Sequence, residues 1–339
     1  MPAEANTAYR EFYRGRRVLV TGGVGFIGSN LARQLVDLGA EVLLLDAMIP
    51  EYGGNLFNID GIQDRVRVNF GDVRNGTIMD VLVRDREIIF NLAGQVSHID
   101  SMRDPFTDLD INCRAQLSML EACRKFNPSV KVVFAGTRQV YGKPDRLPVD
   151  ETHLVRPIDV NGVNKAAGEY YHLLYNNAFG VRACSLRLTN VYGPRQLIKH
   201  NRQGFIGWFI RLAIEDREIQ VFGDGSQMRD FVFVDDVADA FLRAGANDAC
   251  DGEVFNVGGL EPIAHTDLVA LLLDVAGTGR VRYVPWPPEK KQIDIGSFYS
   301  DSSKFSAATG WRPQVALRDG LRRTIAFYRA HLPQYLEAA

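Results

Sequence analysis

Two rhythms of apolar residues alternate along the first half of the chain. Arg16 to Thr21 is a short, nearly continuous β-branched run that ends in glycines, and Phe26 to Leu38 follows with apolar residues at helical spacing. Glu41 to Asp46 is again of strand length. Similar runs recur at Val66 to Phe70, Ile88 to Ala93, Val130 to Ala135 and Val181 to Leu188, with helical patterns between them, notably Leu109 to Lys125 and Asn164 to Phe179. Strands with almost no polar alternation, separated by helices, are what a parallel sheet covered on both faces requires. The pattern predicts an α/β fold with a doubly wound parallel sheet.

After Leu188 the regularity weakens, and Gly/Pro-marked segments such as Tyr192 to Arg195 and Trp286 to Pro288 separate shorter elements. This stretch predicts a smaller C-terminal substrate-binding lobe over the carboxyl ends of the strands, where open sheets bind ligands. The expected division is a Rossmann-type domain over 1–190 and the lobe over 191–339, with part of 230–258 returning to the core. Residues 1–14 are read as a polar, partly ordered leader without the apolar run of a signal peptide or membrane span.

Charge and cysteine usage narrow the field. With 39 basic and 41 acidic residues the net charge is −2, which gives no global field to attract nucleic acid or an anionic membrane. Anionic ligands must therefore be held by local sites. Cys113, Cys123, Cys184 and Cys250 show no C-x-x-C pair, so they are read as buried thiols in a reducing, cytoplasmic setting. The six histidines lack ligand spacing, and no metal is expected.

The glycine-rich turn Thr21 to Gly28 sits where the first strand must become a helix. Gly22 and Gly25 allow the turn and close approach of a pyrophosphate, Gly28 lets helix and strand pack, and Phe26 and Ile27 open the helix facing the anion. The second strand ends in Asp46, 18 residues after Gly28, close to the spacing of a ribose-binding acid. A carboxylate there accepts the adenosine 2′-OH and repels a 2′-phosphate, which favours NAD over NADP.

Further motifs resemble the NAD-dependent epimerase/dehydratase family, the extended short-chain dehydrogenases. Gly71-Asp72-Val73-Arg74 resembles its G-D-[VI]-R, whose Asp meets adenine, and Asn91-Leu92-Ala93-Gly94-Gln95 resembles the strand end beneath the cofactor. Phe134 to Gly142 resembles F-S-S-[ST]-x-x-V-Y-G, which puts Thr137 at the position that bonds the sugar hydroxyl being oxidised. The family's 4,6-dehydratases carry Asp and Glu at the next two positions. Here these are Arg138 and Gln139, and neither can serve as a carboxylate proton carrier. Asn161-Gly162-Val163-Asn164-Lys165 resembles Y-G-x-[ST]-K. Lys165 is thus implied to hold the nicotinamide ribose, but Asn161 stands where the family has its acid/base tyrosine.

Arg187 to Pro194 resembles R-x-x-N-x-Y-G-P and implies that Asn190 contacts a diphosphate. Phe222 to Asp236 resembles the segment whose arginine, here Arg229, pairs with that diphosphate, and Lys291 to Asp294 lines up with a later R-x-G-D. Gln203 to Phe209 is similar to a segment of CDP-tyvelose 2-epimerases. Together these imply an NAD-dependent nucleotide-sugar epimerase, like UDP-glucose 4-epimerase, with a non-standard acid/base. Thr137, Lys165 and Asn161 would occupy its catalytic positions, Asn161 as a polar spacer near the sugar, with the proton carried by a water, by Thr137 relayed to Lys165, or by a residue from elsewhere such as Tyr141 or His98. The alternatives are a catalytically altered or inactive module that binds NAD and a nucleotide-diphosphate sugar, or another nucleotide-sugar-modifying extended short-chain dehydrogenase. The resemblance also implies a homodimer packed through helices 109–125 and 164–179.

Overall fold

The computed structural model describes residues 5–291 and 294–336. Its central sheet begins with β1 (Arg17–Thr21), β2 (Glu41–Asp46), β3 (Val66–Phe70), β4 (Ile88–Asn91), β5 (Lys131–Thr137) and β6 (Arg182–Leu188). Three strands of the C-terminal half, β7 (Asn190–Tyr192), β8 (Glu218–Phe222) and β9 (Met228–Phe233), lie outside it, whereas β10 (Val254–Val257) returns as its seventh strand. All neighbours are parallel, in the order β3-β2-β1-β4-β5-β6-β10. The direction of winding reverses between β1 and β4, so the carboxyl ends of these two strands open a crevice.

The continuous apolar strands supply both faces. Along β1, Val18 and Val20 face one layer and Leu19 the other, as the strand period requires. The helices of the N-terminal half are α1 (Ala5–Phe12), α2 (Phe26–Asp37), α3 (Gly76–Leu82), α4 (His98–Arg103), α5 (Pro105–Leu109), α6 (Ala115–Phe126) and α7 (Val160–Phe179). They are followed by α8 (Phe205–Ile214) and α9 (Val234–Ala246). Leu31 and Leu35 of α2 and Phe241 of α9 pack on the first face, and Met119 and Leu120 of α6 with Tyr175 of α7 pack on the second.

The lobe holds β11 (Pro262–Ala264), α10 (His265–Ala276), β12 (Arg280–Val284), α11 (Pro288–Lys291), α12 (Ser303–Thr309) and α13 (Leu317–Leu336). Strands β7, β9 and β11 form one small sheet, and β8 and β12 another. Its core joins Ile206, Ile210, Leu268, Leu272 and Leu321, and Phe26 and Ile27 at the start of α2 pack against it.

Three elements differ from the sequence expectation. The N-terminal leader contains a helix, because Tyr9, Phe12 and Tyr13 dock it: Tyr13 is fully buried and its hydroxyl donates to the Leu242 carbonyl at 2.6 Å. The helix expected over 109–125 is interrupted by a π-turn over Asp110–Arg114 before α6. Helix α7 starts at Val160 rather than Asn164, because Asp159 caps it, its Oδ1 accepting from the Gly162 amide at 2.7 Å. Of the four cysteines read as buried thiols, Cys123, Cys184 and Cys250 are buried, whereas Cys113 is half-buried.

Candidate active site

A cavity of about 860 Å³ lies between the carboxyl ends of the sheet and the lobe. At its β1 end, Gly22 has φ +66°, and a Cβ there would meet the Ala93 amide nitrogen at 3.0 Å. A Cβ on Gly28 would lie 2.1 Å from the Gly22 carbonyl oxygen, so this contact between turn and helix excludes any larger residue. Helix α2 is preceded by Gly25, with no side-chain cap, and Gly25, Phe26, Ile27 and Gly28 all line the cavity. Uncapped amides at a helix N-terminus are a ready site for a pyrophosphate.

Asp46 is held in place by the backbone. Its Oδ2 accepts from the Val24 amide at 3.1 Å and its Oδ1 from the Met48 amide at 2.9 Å, leaving lone pairs free toward the cavity. Burial raises its pKa, and these backbone bonds work in the opposite sense. Asp72 and Val73 lie on the same wall, Asp72 clamped by Arg74 Nη2 at 2.6 Å. The amides of Leu92 and Ala93 both donate to Thr21 Oγ1 at 3.1 Å, which fixes the floor. These residues fit a dinucleotide: helix amides and small residues for the pyrophosphate, a positioned carboxylate for the ribose.

Thr137, at the end of β5, lines the next part of the cavity, its Oγ1 accepting from the Gln139 amide at 3.2 Å. Lys165 reaches this point from α7; its Nζ donates to the Ala135 carbonyl at 3.2 Å, and burial pushes its pKa down to about 8. A Cβ on Gly94 would lie 2.9 Å from that Nζ, so the glycine makes room for the ammonium.

Asn161, expected as a polar spacer near the sugar, borders the cavity and turns its side-chain amide into a hydrogen-bond network. It is 1% exposed, and its Nδ2 donates to the Gln95 carbonyl (2.8 Å), Gln95 Oε1 (3.0 Å) and Asp108 Oδ2 (2.9 Å). Asp108 also accepts from Asn112 at 3.1 Å and Asn164 at 2.8 Å. The amide is tied into a buried network behind the wall.

Of the two candidate proton carriers, Tyr141 is fully buried, its hydroxyl tied to Asn256 and Arg187 away from the cavity lining. His98 faces the cavity. Its Nδ1 bonds the Asp159 carboxylate, and its Nε2 lies 2.7 Å from the side-chain Nε2 of Gln139. Asp159 sits 61 positions from His98, and only the cap of α7 hints at its placement.

At the lobe end, Arg229 on β9 is buried and donates to the carbonyls of Met228 (2.8 Å) and Gly296 (2.5 Å), with Asp294 Oδ1 at 4.0 Å. Burial, and then the neighbouring Arg138 cation, lower its pKa. Asn190 and Asp294 line the same region, and Asn190 Nδ2 donates to the Asp230 carbonyl at 2.9 Å. Lys291 is exposed and is not part of the lining; the intervening Gln292 and Ile293 fall outside the described residues. Sequence reasoning missed Asp159, Gln139 and Arg138 as parts of the site, and also His265, whose buried Nε2 has no partner among the described residues.

A doubly wound sheet with a glycine-rich strand-to-helix turn, a carboxylate at the end of its second strand and a second lobe closing one shared cavity defines an extended short-chain dehydrogenase fold. The chain belongs to the NAD dependent epimerase/dehydratase family, whose profile matches residues 18–258. It is 34% identical to the UDP-glucose 4-epimerase of Mycolicibacterium smegmatis over 92% of this chain and 98% of the relative. It is 29% identical to the CDP-paratose 2-epimerase of Salmonella typhi, over 91% and 97%. The UDP-glucose 4-epimerase of Thermus thermophilus, solved in complex with NAD, superposes with a TM-score of 0.83 at 31% identity, covering 93% of this chain and 99% of that one. NAD is the cofactor of this family.

Proposed function

We propose that the protein is an NAD-dependent nucleotide-sugar epimerase whose proton carrier is His98 instead of the family tyrosine. One observation carries the reading: Thr137, Lys165 and the His98–Asp159 pair open on one cavity, with the dinucleotide turn at one end and Arg229 at the other. Bound NAD would accept a hydride from a ring carbon and return it to the opposite face of the keto sugar. Gly22, Gly25, Phe26, Ile27, Gly28, Asp46, Asp72, Val73, Leu92 and Ala93 hold the dinucleotide, and Lys165 its nicotinamide ribose. Asn190 and Arg229 hold the diphosphate of the substrate.

Thr137 orients the reacting hydroxyl. As the carbonyl forms, the Gln139 side chain turns aside from His98 Nε2, that nitrogen takes the hydroxyl proton, and the imidazolium, steadied by Asp159, gives it back on re-reduction. Gln139 links the two, since its backbone amide donates to Thr137 and its side chain meets His98. Arg138 and Gln139 leave this position without the carboxylates on which elimination of water depends, which favours epimerisation over dehydration. Exposed Val163, Tyr170 and Leu174 on α7 suit a homodimer packed through α6 and α7.

The test is incubation of the NAD-loaded protein with UDP-, CDP-, GDP- and dTDP-sugars, following product stereochemistry by NMR. Inversion at one ring carbon supports the epimerase. Tight binding of a nucleotide sugar with no turnover on the whole panel sinks it in favour of a binding module, the reading that the buried amide of Asn161, its Nδ2 turned toward Gln95 and Asp108, favours.

A further inference from the structure

Four arginines line the cavity among the described residues, and three of them have partners. Arg202 faces Asp100 at 3.5 Å, Arg217 faces Glu215 at 3.1 Å, and Arg229 is bonded to two carbonyls. Arg138 differs. Among the described residues it makes neither a hydrogen bond nor an ion pair, and its guanidinium rests 5.2 Å from the centre of the Phe298 ring. Stacking on an aromatic face leaves the whole donor fork unused.

The placement of this group is defined from both sides. Its backbone follows Thr137 directly; the carboxylates of Asp230 and of Asp159 beside His98 attract its cation without bonding it, and Arg229 at the lobe end feels its charge. It therefore stands between the reacting hydroxyl's position and the diphosphate's. Its cation also acts on His265, whose unpartnered Nε2 belongs to a residue of the same cavity lining. A neutral sugar would leave two neighbouring guanidinium groups with one diphosphate and an unused donor fork. An anion between them removes the mutual repulsion and fills the fork.

We infer that the sugar of the substrate carries a carboxylate, which Arg138 receives in a bidentate pair. This rests on the nucleotide-sugar reading of the cavity and adds the substrate class. Arg138 is then a specificity residue: it touches the sugar's acidic substituent, while Thr137 and His98 handle the hydroxyl that reacts.

The experiment titrates NAD-loaded protein by calorimetry with matched pairs, the glucose and glucuronate esters of UDP, CDP, GDP and dTDP. With the nucleotide that binds best, the glucuronate ester should bind about ten- to a hundredfold tighter than the glucose ester. Arg138→Gln should abolish that ratio while leaving the affinity for the glucose ester nearly unchanged, and Arg138→Lys should restore part of it. Equal affinity of wild type for the two esters overturns the inference, and this arm needs no variant to fold. Equal weakening of both esters in Arg138→Gln also overturns it, since Arg138 then serves the diphosphate. If no ester of any nucleotide binds, the nucleotide-sugar reading itself has failed, and this inference falls with it.

Discussion

The side-chain amide of Asn161 donates to the carboxylate of Asp108 across 2.9 Å, between the first turn of α7 and the last turn of α5. Asn112 and Asn164 donate to the same carboxylate, so Asp108 gathers three amides in a place closed to water. Buried polar groups persist only when such partners are supplied. Asn161 is thus part of the scaffold that seats α7, and α7 in turn seats Lys165.

Asp108→Asn should therefore destabilise the fold, because its new NH₂ group would point at amide donors and leave at least one buried group unsatisfied. The expected loss is about 1 to 3 kcal/mol in chemical denaturation. Stability within experimental error of wild type would show that water reaches the network and that Asp108 is not its hub.

On the proposed reading, cofactor choice follows from Asp46. Its oxygens are fixed by the Val24 and Met48 amides and cannot swing away from a 2′-phosphate. NAD should bind at least tenfold tighter than NADP, a difference of about 1.4 kcal/mol or more. Asp46→Ala should narrow the gap by removing the repulsion. Equal affinities in wild type would take Asp46 out of the ribose site.

Lys165 gives a pH signature with a definite sign. Burial lowers its folded-state pKa to about 8, below that of the unfolded chain, so the folded state binds fewer protons between these values. Stability of the cofactor-free protein should then rise with pH above about 8, by at most about 1.4 kcal/mol per pH unit. Lys165→Met should lose this slope. If wild type and variant run parallel through alkaline pH, the ammonium is solvated and the lysine lies elsewhere.

Much of this was legible in the sequence. Strand β2 runs over Glu41–Asp46 as its apolar run predicts, because a strand buried on both faces leaves little ambiguity of pattern; β3, at the sheet edge with none of its residues buried, also runs over Val66–Phe70 as expected. The glycine turn was equally clear, since its backbone geometry tolerates few other residues. The start of α7 was obscured by Asn161, Gly162 and Asn164, poor helix formers that are held in the helix by tertiary bonds rather than by propensity. Nothing local ties His98 to Asp159 or turns Asn161 toward Asp108. Those pairings depend on how two separate crossovers meet. Arg138 could be read as a missing acid, but its lack of a partner is a property of three-dimensional packing.

His98 decides the chemistry. If it carries the proton, His98→Gln should lower turnover by about 10² to 10⁴ while NAD and nucleotide-sugar affinities stay near wild type, since the amide keeps hydrogen-bonding capacity but cannot take a proton. Asp159→Asn should cost less, because it weakens support for the imidazolium yet leaves the imidazole in place. Restoring the family residue should not rescue either variant. Asn161 is 1% exposed with its amide turned into the network, so Asn161→Tyr must either force a ring between Gln95 and Asp108 or swing it into the cavity. The first arrangement strips three bonds from the network, and the second occupies substrate space; both should lower melting temperature or affinity without raising turnover. The measurement compares kcat, KM and melting temperature for wild type, His98→Gln, Asp159→Asn, Asn161→Tyr and the double variant His98→Gln/Asn161→Tyr. If the double variant recovers the turnover lost in His98→Gln, the tyrosine route is intact in this fold and His98 is not its replacement.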